Sequence, residues 1–368
     1  MSIYFNYNPI LSHNADINII TALRGVGKSY GAKIKVLNSY LNENKLFIWI
    51  RRTEEQMKMS KATFLTDIQA NDATGKYKNF YIVGDFLYYK ETKTRIITHK
   101  DGTEEEIEET ININIVGVFM TLSVGGNVRG FAFDNSRIKY VIFDEFIEED
   151  TTKYLKNEII KFCSVVMSAI RLANAKIIML SNALSSANPY FKLFNVKITD
   201  KLINSYNIKI KNPDNNEYIY LRIAFQYGAD NQAYKKASIN SVAGKIALLT
   251  DYAQTAINNT FLYDDYTHII APEKINKIDF KYNLFYDKMY MGVYQTKNNI
   301  TYIYKPVKAG TNYILNDIQE ASKSDNNILI NKKHLIIKVL FSQFSNGFVA
   351  FSDIHIQQHF IDMINENI

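Results

Sequence analysis

Four stretches in the first half of the chain are apolar at nearly every position: "NIITA" (18–22), "LFIWI" (46–50), "YVIFDEF" (140–146) and "KIIMLSN" (176–182). Each is bounded by polar residues, and helix-compatible segments lie between them. A strand covered on one face alternates apolar and polar side chains, whereas a strand covered on both faces reads as an unbroken apolar run. The pattern therefore predicts an α/β fold with a mostly parallel sheet between helices. Between the second and third runs, residues 79–121 are rich in aromatic and β-branched positions, and "HKDGTEEE" carries an Asp-Gly hairpin signal. This reads as an antiparallel insertion with its acidic tip in solvent.

The pattern changes after "NPDNN" (212–216), a turn. Residues 1–228 are expected to form the first domain, and 229–271, Ala-rich and weakly polar, a helical linker or lid. Residues 272–368 are expected to form a smaller C-terminal α/β domain. There "KMYMGVYQTKNNITYIYKPV" supplies two strand-like runs joined by "KNN", followed by "HLIIKVLFSQ", "GFVAFSD" and a terminal helix over "IHIQQHFIDMI". No internal repeat or low-complexity tract interrupts this order.

Composition narrows the class. The 368 residues are 47% hydrophobic and 22% charged, ordinary for a globular protein, and no apolar run approaches the length of a membrane span. The first residues lack the basic-then-apolar order of a signal peptide, so a cytoplasmic setting is expected. The single cysteine, Cys163, excludes an internal disulfide and reads as a buried, inert thiol. The net charge of +6 is mild, but from Thr151 to Lys211 ten basic residues face two acidic ones. Solvated lysines and contacts to nucleic acid both account for that excess.

The first apolar run leads into Ala22-Leu23-Arg24-Gly25-Val26-Gly27-Lys28-Ser29-Tyr30. This nearly fits the phosphate-binding loop GxxxxGK[ST]. Glycines let backbone N–H groups curl around a phosphate, a lysine reaches the outer oxygens, a hydroxyl holds Mg²⁺, and the helix that follows points its positive end at the anion. Ala22 departs from the pattern, standing where the first glycine belongs.

The third run ends in Asp144-Glu145. An aspartate at a strand end can hold Mg²⁺ beside a bound nucleotide. A glutamate directly after it is placed to polarise an attacking water, which marks ATP hydrolysis rather than transfer to a small acceptor. The fourth run ends in Ser181-Asn182, beside the expected γ-phosphate position. Arg171, between these motifs, could reach across a subunit boundary as an arginine finger. Arg24, Arg51, Arg52 and Arg129 add cations near the expected site, with a nucleotide or DNA role open for each.

Together "RGVGKS", "WIRRT", "YVIFDEF" and "LSNA" resemble the DNA-packaging ATPases of tailed bacteriophages, relatives of terminase large subunits. The likeness is sharpest to the short encapsidation ATPases of small podophages (the Picovirinae type), over residues 17–185. The resemblance implies a P-loop NTPase of the additional-strand, catalytic-glutamate class. Such a protein works as a homomeric ring, a pentamer, at the portal of an empty procapsid, driving double-stranded DNA inward and absent from the mature virion. Whether a packaging RNA or a protein docks the ring stays open.

Carried over by residue, Gly25, Val26, Gly27, Lys28, Ser29 and Tyr30 would cradle ATP with Asp144 and Asn182. Ser29 and Asp144 would hold Mg²⁺. Glu145, Lys28 and Arg24 would serve hydrolysis, and Arg171 would act in trans. The resemblance also implies an RNase H-like C-terminal domain. No acid stands in the strand taken as comparable, "MYMGVYQT" (289–296), so nuclease activity is not expected. The alternative is a P-loop helicase or other nucleic-acid remodelling ATPase not tied to a capsid. A non-catalytic nucleotide switch would have no need of Glu145.

Overall fold

In the computed structural model the described residues are 5–99, 104–123, 134–147, 154–171, 173–182, 188–196, 198, 201–228, 236–237, 239–247, 249, 268–275 and 278–367. The chain forms two compact units, residues 1–184 with 189–262, and residues 185–188 with 263–368.

The first unit is built on nine strands: β1 (Ile17–Thr21), β2 (Leu46–Arg51), β3 (Phe80–Val83), β4 (Phe86–Thr98), β5 (Glu104–Thr121), β6 (Ile138–Asp144), β7 (Lys176–Ser181), β8 (Ile203–Lys211) and β9 (Tyr218–Tyr227). They form one sheet in the order β3-β4-β5-β2-β6-β7-β1-β9-β8. The six strands from β5 to β9 in that order run parallel, while β3 and β4 at one end and β8 at the other run antiparallel to their neighbours. The described helices of this unit are α1 (Asn8–Leu11), α2 (Lys28–Glu43), α3 (Glu54–Thr63), α4 (Thr66–Ala70), α5 (Glu158–Ile170), α6 (Pro189–Leu193) and α7 (Val242–Ala247).

All five residues of β1 are buried, as are five of the six in β2. Covering both faces is the condition that their unbroken apolar runs require. In the parallel register Thr21 lies opposite Ser181, and Asp144 opposite Leu180. The carboxyl ends of β1, β6 and β7 therefore share one edge, where open α/β sheets bind ligands.

The insertion differs from expectation in one respect. β4 and β5 are antiparallel, but the last residues of β5, Gly117–Thr121, pair parallel to β2. The hairpin is thus welded into the main sheet, because Val116, Val118 and Phe119 are buried by it. Cys163 also differs. The inner face of α5 is set by Phe162, Val165, Ala169 and Ile170, which turns Cys163 outward with Ile160 and Met167. Its thiol is exposed rather than buried, although partial burial still raises its pKa.

The second unit holds a six-stranded sheet in the order β14-β13-β10-β11-β12-β15. Its strands are β10 (Ile278–Tyr286), β11 (Met289–Thr296), β12 (Thr301–Tyr304), β13 (Asn312–Leu315), β14 (Asn327–Ile330) and β15 (Val349–Phe351). β10, β11 and β12 are antiparallel, while β13 and β14 run parallel to β10. The first strand is therefore β10, which the sequence pattern did not mark, and not "MYMGVYQT". Asn283 on β10 donates to Asn312 on β13 at 2.8 Å, and Asn312 donates to Asn327 on β14 at 2.8 Å, an amide ladder across three neighbouring strands. Most of the helical segment expected at 229–271, and Arg129, lie outside the described residues. Among the described residues no helix is long and apolar enough to cross a membrane.

Close packing gives a direct test of the weld between β5 and β2. A Cβ at Gly117 would lie 2.4 Å from the ring of Phe47, itself buried. Gly117→Ala is expected to destabilise the protein by about 1–3 kcal/mol, as overpacking does. Chemical denaturation checks this, and Phe47→Leu should restore part of the loss.

Candidate nucleotide site

The loop after β1 adopts the conformation its glycines allow. Gly25 and Gly27 both sit at φ 82°, in the left-handed region, and Gly27 caps the start of α2. Ala22 is fully buried and is not left-handed, so a Cβ is tolerated where the motif has its first glycine. Tyr7, with no signal in the sequence, donates from its hydroxyl to the Lys28 carbonyl at 2.5 Å and braces the first turn of α2. Arg24 and Tyr30 flank the loop, Arg24 exposed and Tyr30 half-buried.

Lys28 is buried and donates from Nζ to Ala22 O (2.9 Å), Leu23 O (2.8 Å) and Asn182 Oδ1 (3.1 Å). Asn182 at the end of β7 is thereby joined to the loop. Burial lowers the Lys28 pKa to about 8, with Arg24 adding to the fall while Asp144 and Glu145 oppose it. Ser29 donates from Oγ to Asp144 Oδ1 at 2.8 Å. Burial pushes the Asp144 carboxyl above the usual carboxylate range, Glu145 adds to that, and Arg51, Ser29 and Lys28 pull it back. A hydroxyl beside a buried carboxylate that lacks full compensation is a donor pair suited to a hard divalent cation.

The strand ends at Asp144, and Glu145 turns out of it at φ 60° with its side chain half exposed. Its Oε2 lies 2.6 Å from Arg51 NH1, while Arg51 NH2 lies 3.6 Å from Asp144 Oδ2. Arg51 thus pairs with the glutamate that the sequence pointed to.

The neighbouring Arg52 has a different role. Its guanidinium is fully buried and forms a bidentate pair with Glu158 at the start of α5, both contacts 2.9 Å. It also donates to Glu145 O at 3.2 Å and Phe146 O at 2.6 Å, and stacks 5.0 Å from the Tyr154 ring centroid. Glu158 accepts further from Tyr190 Oη (2.6 Å) and Leu155 N (2.8 Å). Sequence reasoning placed Arg52 near the nucleotide and missed Glu158 and Tyr190. A charge pair at the end of an otherwise apolar strand was the available signal.

Arg171 stands apart. It follows α5 and precedes β7, so it is exposed at the sheet edge opposite the phosphate loop. The structure brings Lys28, Ser29, Asp144, Glu145 and Asn182 together, and leaves Arg171 outside that group.

The chain matches the family model described as podovirus DNA encapsidation protein (Gp16) over residues 1–94 and 108–366, and it belongs to that family. It is 24% identical over 363 residues to the DNA packaging protein of Bacillus phage phi29, covering 96% of this chain and 94% of that one. To the DNA packaging protein of Bacillus phage B103 it is 26% identical over 355 residues, covering 94% and 95%. A chain of the bacteriophage phi29 viral genome packaging motor assembly shares the fold, with a TM-score of 0.68, 22% identity and full coverage of both chains.

Two measurements follow from the site. Below its pKa of about 8 Lys28 carries the charge that a triphosphate attracts, and above it a proton must be taken up on binding. Nucleotide affinity, followed by calorimetry in buffers of different ionisation enthalpy, should weaken as pH rises through 8, by up to about tenfold per unit. Removing one member of the buried pair, as in Glu158→Gln, should cost about 3–5 kcal/mol in denaturant unfolding, while the double change Arg52→Met with Glu158→Leu should cost less than the two single changes summed.

Proposed function

We propose that this DNA-encapsidation protein is an ATP-driven motor. On this reading it hydrolyses ATP as a homomeric ring, a pentamer, at the portal vertex of a preformed procapsid, and drives double-stranded DNA inward. The observation that carries the reading is the convergence of Lys28, the Ser29–Asp144 pair and Glu145 at one sheet edge. The setting is the host cytoplasm, with the ring lost from the finished particle and its docking made by a packaging RNA or a protein. The names of the relatives, DNA packaging proteins and a genome packaging motor, support the same class.

In this mechanism the backbone N–H groups around Gly25–Gly27 and the Lys28 ammonium bind the phosphates, so Lys28 exchanges its loop carbonyl partners for phosphate oxygens. Ser29 and Asp144 would hold Mg²⁺, which supplies charge neutralisation at the β- and γ-phosphates. Glu145, released from Arg51, accepts the proton of the attacking water. Asn182, hydrogen-bonded to Lys28, is placed to couple a change at the phosphates to β7. Arg24 adds charge beside the loop.

Arg171, at the sheet edge opposite its own phosphate loop, is read as a finger acting in a neighbour's site. The second unit is read as an RNase H-like domain that binds without cutting. Three antiparallel strands followed by two parallel to the first support this reading.

ATP turnover by the purified chain tests the proposal: alone, with double-stranded DNA, and with DNA plus procapsids. Strong stimulation is expected only in the last case. Glu145→Gln should lower the rate on the order of 10²-fold or more while ATP still binds. Arg171→Ala should be inactive alone and should regain activity when mixed with Glu145→Gln subunits. Equal stimulation by single-stranded DNA without procapsids would replace the motor by a helicase.

A further inference from the structure

The two ends of the nine-stranded sheet carry ribbons of opposite character. β4 pairs with β3 only over Phe86–Tyr89, and β5 pairs with β2 only over Gly117–Thr121. Lys90 still donates from N to Asn79 O at 3.0 Å; beyond it, from Thr92 with Thr110 outward to Thr98 with Glu104, the two strands pair only with each other among the described residues. A free two-stranded ribbon is marginal in water unless a face is covered. The family match leaves out residues 95–107, among them Ile96, Glu104 and Glu106.

Residues opposite one another on paired strands share a face. One face of the ribbon presents Glu106 with Ile96, Glu108 with Thr94 and Thr110 with Thr92, with Glu104 next in line. All three glutamates are exposed, and Ile96 is 56% exposed. Among the described residues no cation of the ribbon lies on this face; from outside, Lys78 Nζ lies 2.6 Å from Glu108 Oε1 and Asn79 Nδ2 donates to Thr92 Oγ1 at 3.3 Å. The other face is self-compensating, with Lys93 opposite Glu109 and His99 Nε2 2.9 Å from Glu105 Oε2.

At the far end of the same sheet, the β8–β9 hairpin has a face of Lys211 with Tyr218, Lys209 with Tyr220, and Asn207 with Arg222. The two tyrosines are 51% and 59% exposed, and Lys209 Nζ sits 3.7 Å from the Tyr218 ring centroid. Asp214 and Glu217 lie in the turn beyond the strand pair. Alternate residues on a strand recur about every 6.8 Å, so Glu104, Glu106 and Glu108 have the same period as Lys209 and Lys211.

We infer that the acidic face of the β4–β5 ribbon docks on the basic, tyrosine-bearing face of the β8–β9 hairpin of a second copy of this chain. The inference rests on the ring reading above and names one contact within it. Complementary patches at opposite ends of one sheet make a head-to-tail contact, which is the kind that closes rings. An acidic face repels a nucleic-acid backbone, and Ile96 between glutamates finds an apolar partner in a tyrosine ring, so the occupant is this protein face. The contact then adds grip between neighbours without touching the nucleotide site.

The test is sedimentation of the full chain across concentration, with and without ATP. Charge reversal of the ribbon (Glu104→Lys, Glu106→Lys, Glu108→Lys), or of the hairpin (Lys209→Glu, Lys211→Glu), should each weaken self-association by about tenfold or more. Combining the two should restore it, and Glu109→Lys on the opposite face should have no effect. In a Cys163→Ser background, mixed Glu106→Cys and Lys209→Cys chains should form a disulfide-linked dimer, a readout that does not depend on charge reversal being tolerated. Association that ignores the reversals, or chains that fail to cross-link, would overturn the contact while leaving the ring intact. Loss of DNA binding by the hairpin reversal at unchanged association would reassign that face to nucleic acid. A wild-type chain that stays monomeric with ATP, DNA and procapsids would overturn the ring itself.

Discussion

The sheet edge that carries the candidate site depends on one buried guanidinium. Arg52 lies at the end of β2 with no access to water, and a charge so placed must find acceptors for its N–H groups. It takes them from the Glu158 carboxylate and from the carbonyls of Glu145 and Phe146. Those carbonyls can face Arg52 only if the chain turns sharply after Asp144, and Glu145 accordingly adopts a left-handed backbone. The same turn lifts the Glu145 side chain out of the sheet while Asp144, one residue earlier, stays buried beneath it. Two adjacent carboxylates are thus given opposite environments by one cation behind them.

The network extends beyond the turn. Glu158 opens α5, and Tyr190 belongs to α6, so the helices on either side of β7 share the carboxylate that anchors the loop after β6. Any shift of that loop is opposed by both helices. Burial and the nearby carboxylate hold the Tyr190 hydroxyl well above the usual phenol range, which keeps it a donor at every physiological pH. Rigidity behind the site contrasts with the front. There Lys28, Ser29 and Arg51 contact carbonyls and carboxylates whose places phosphates and water would also fill.

Arg51 and Arg52 are adjacent in sequence and diverge completely in use, because successive residues of a strand face opposite sides of the sheet. Arg51 turns toward the acids of the site, where its Nε has no hydrogen-bond partner among the described residues, and Arg52 turns into the layer below. A sequence read one residue at a time gives both the same value. Their roles separate only when the register of β2 against β6, with Ile50 opposite Phe143, is known.

The phosphate loop, the strand ending in Asp144-Glu145, the strand ending in Ser181-Asn182 and the parallel sheet were legible in the sequence alone. Each is a local signal: an apolar run of fixed length, or glycines at positions where backbone must pass close to an anion. The partners of those residues were not legible. Tyr7 against Lys28, Glu158 against Arg52 and the weld of β5 onto β2 join positions far apart in the chain, and only the folded layers bring them within reach. Cys163 shows the same limit, since its exposure follows from which face of α5 the aromatic residues claim. The sequence settled which chemistry the site can attempt, because that is a property of residue types and short spacings. The tertiary structure decided which side chains are held rigid and which are left free to move, because that depends on what the sheet buries.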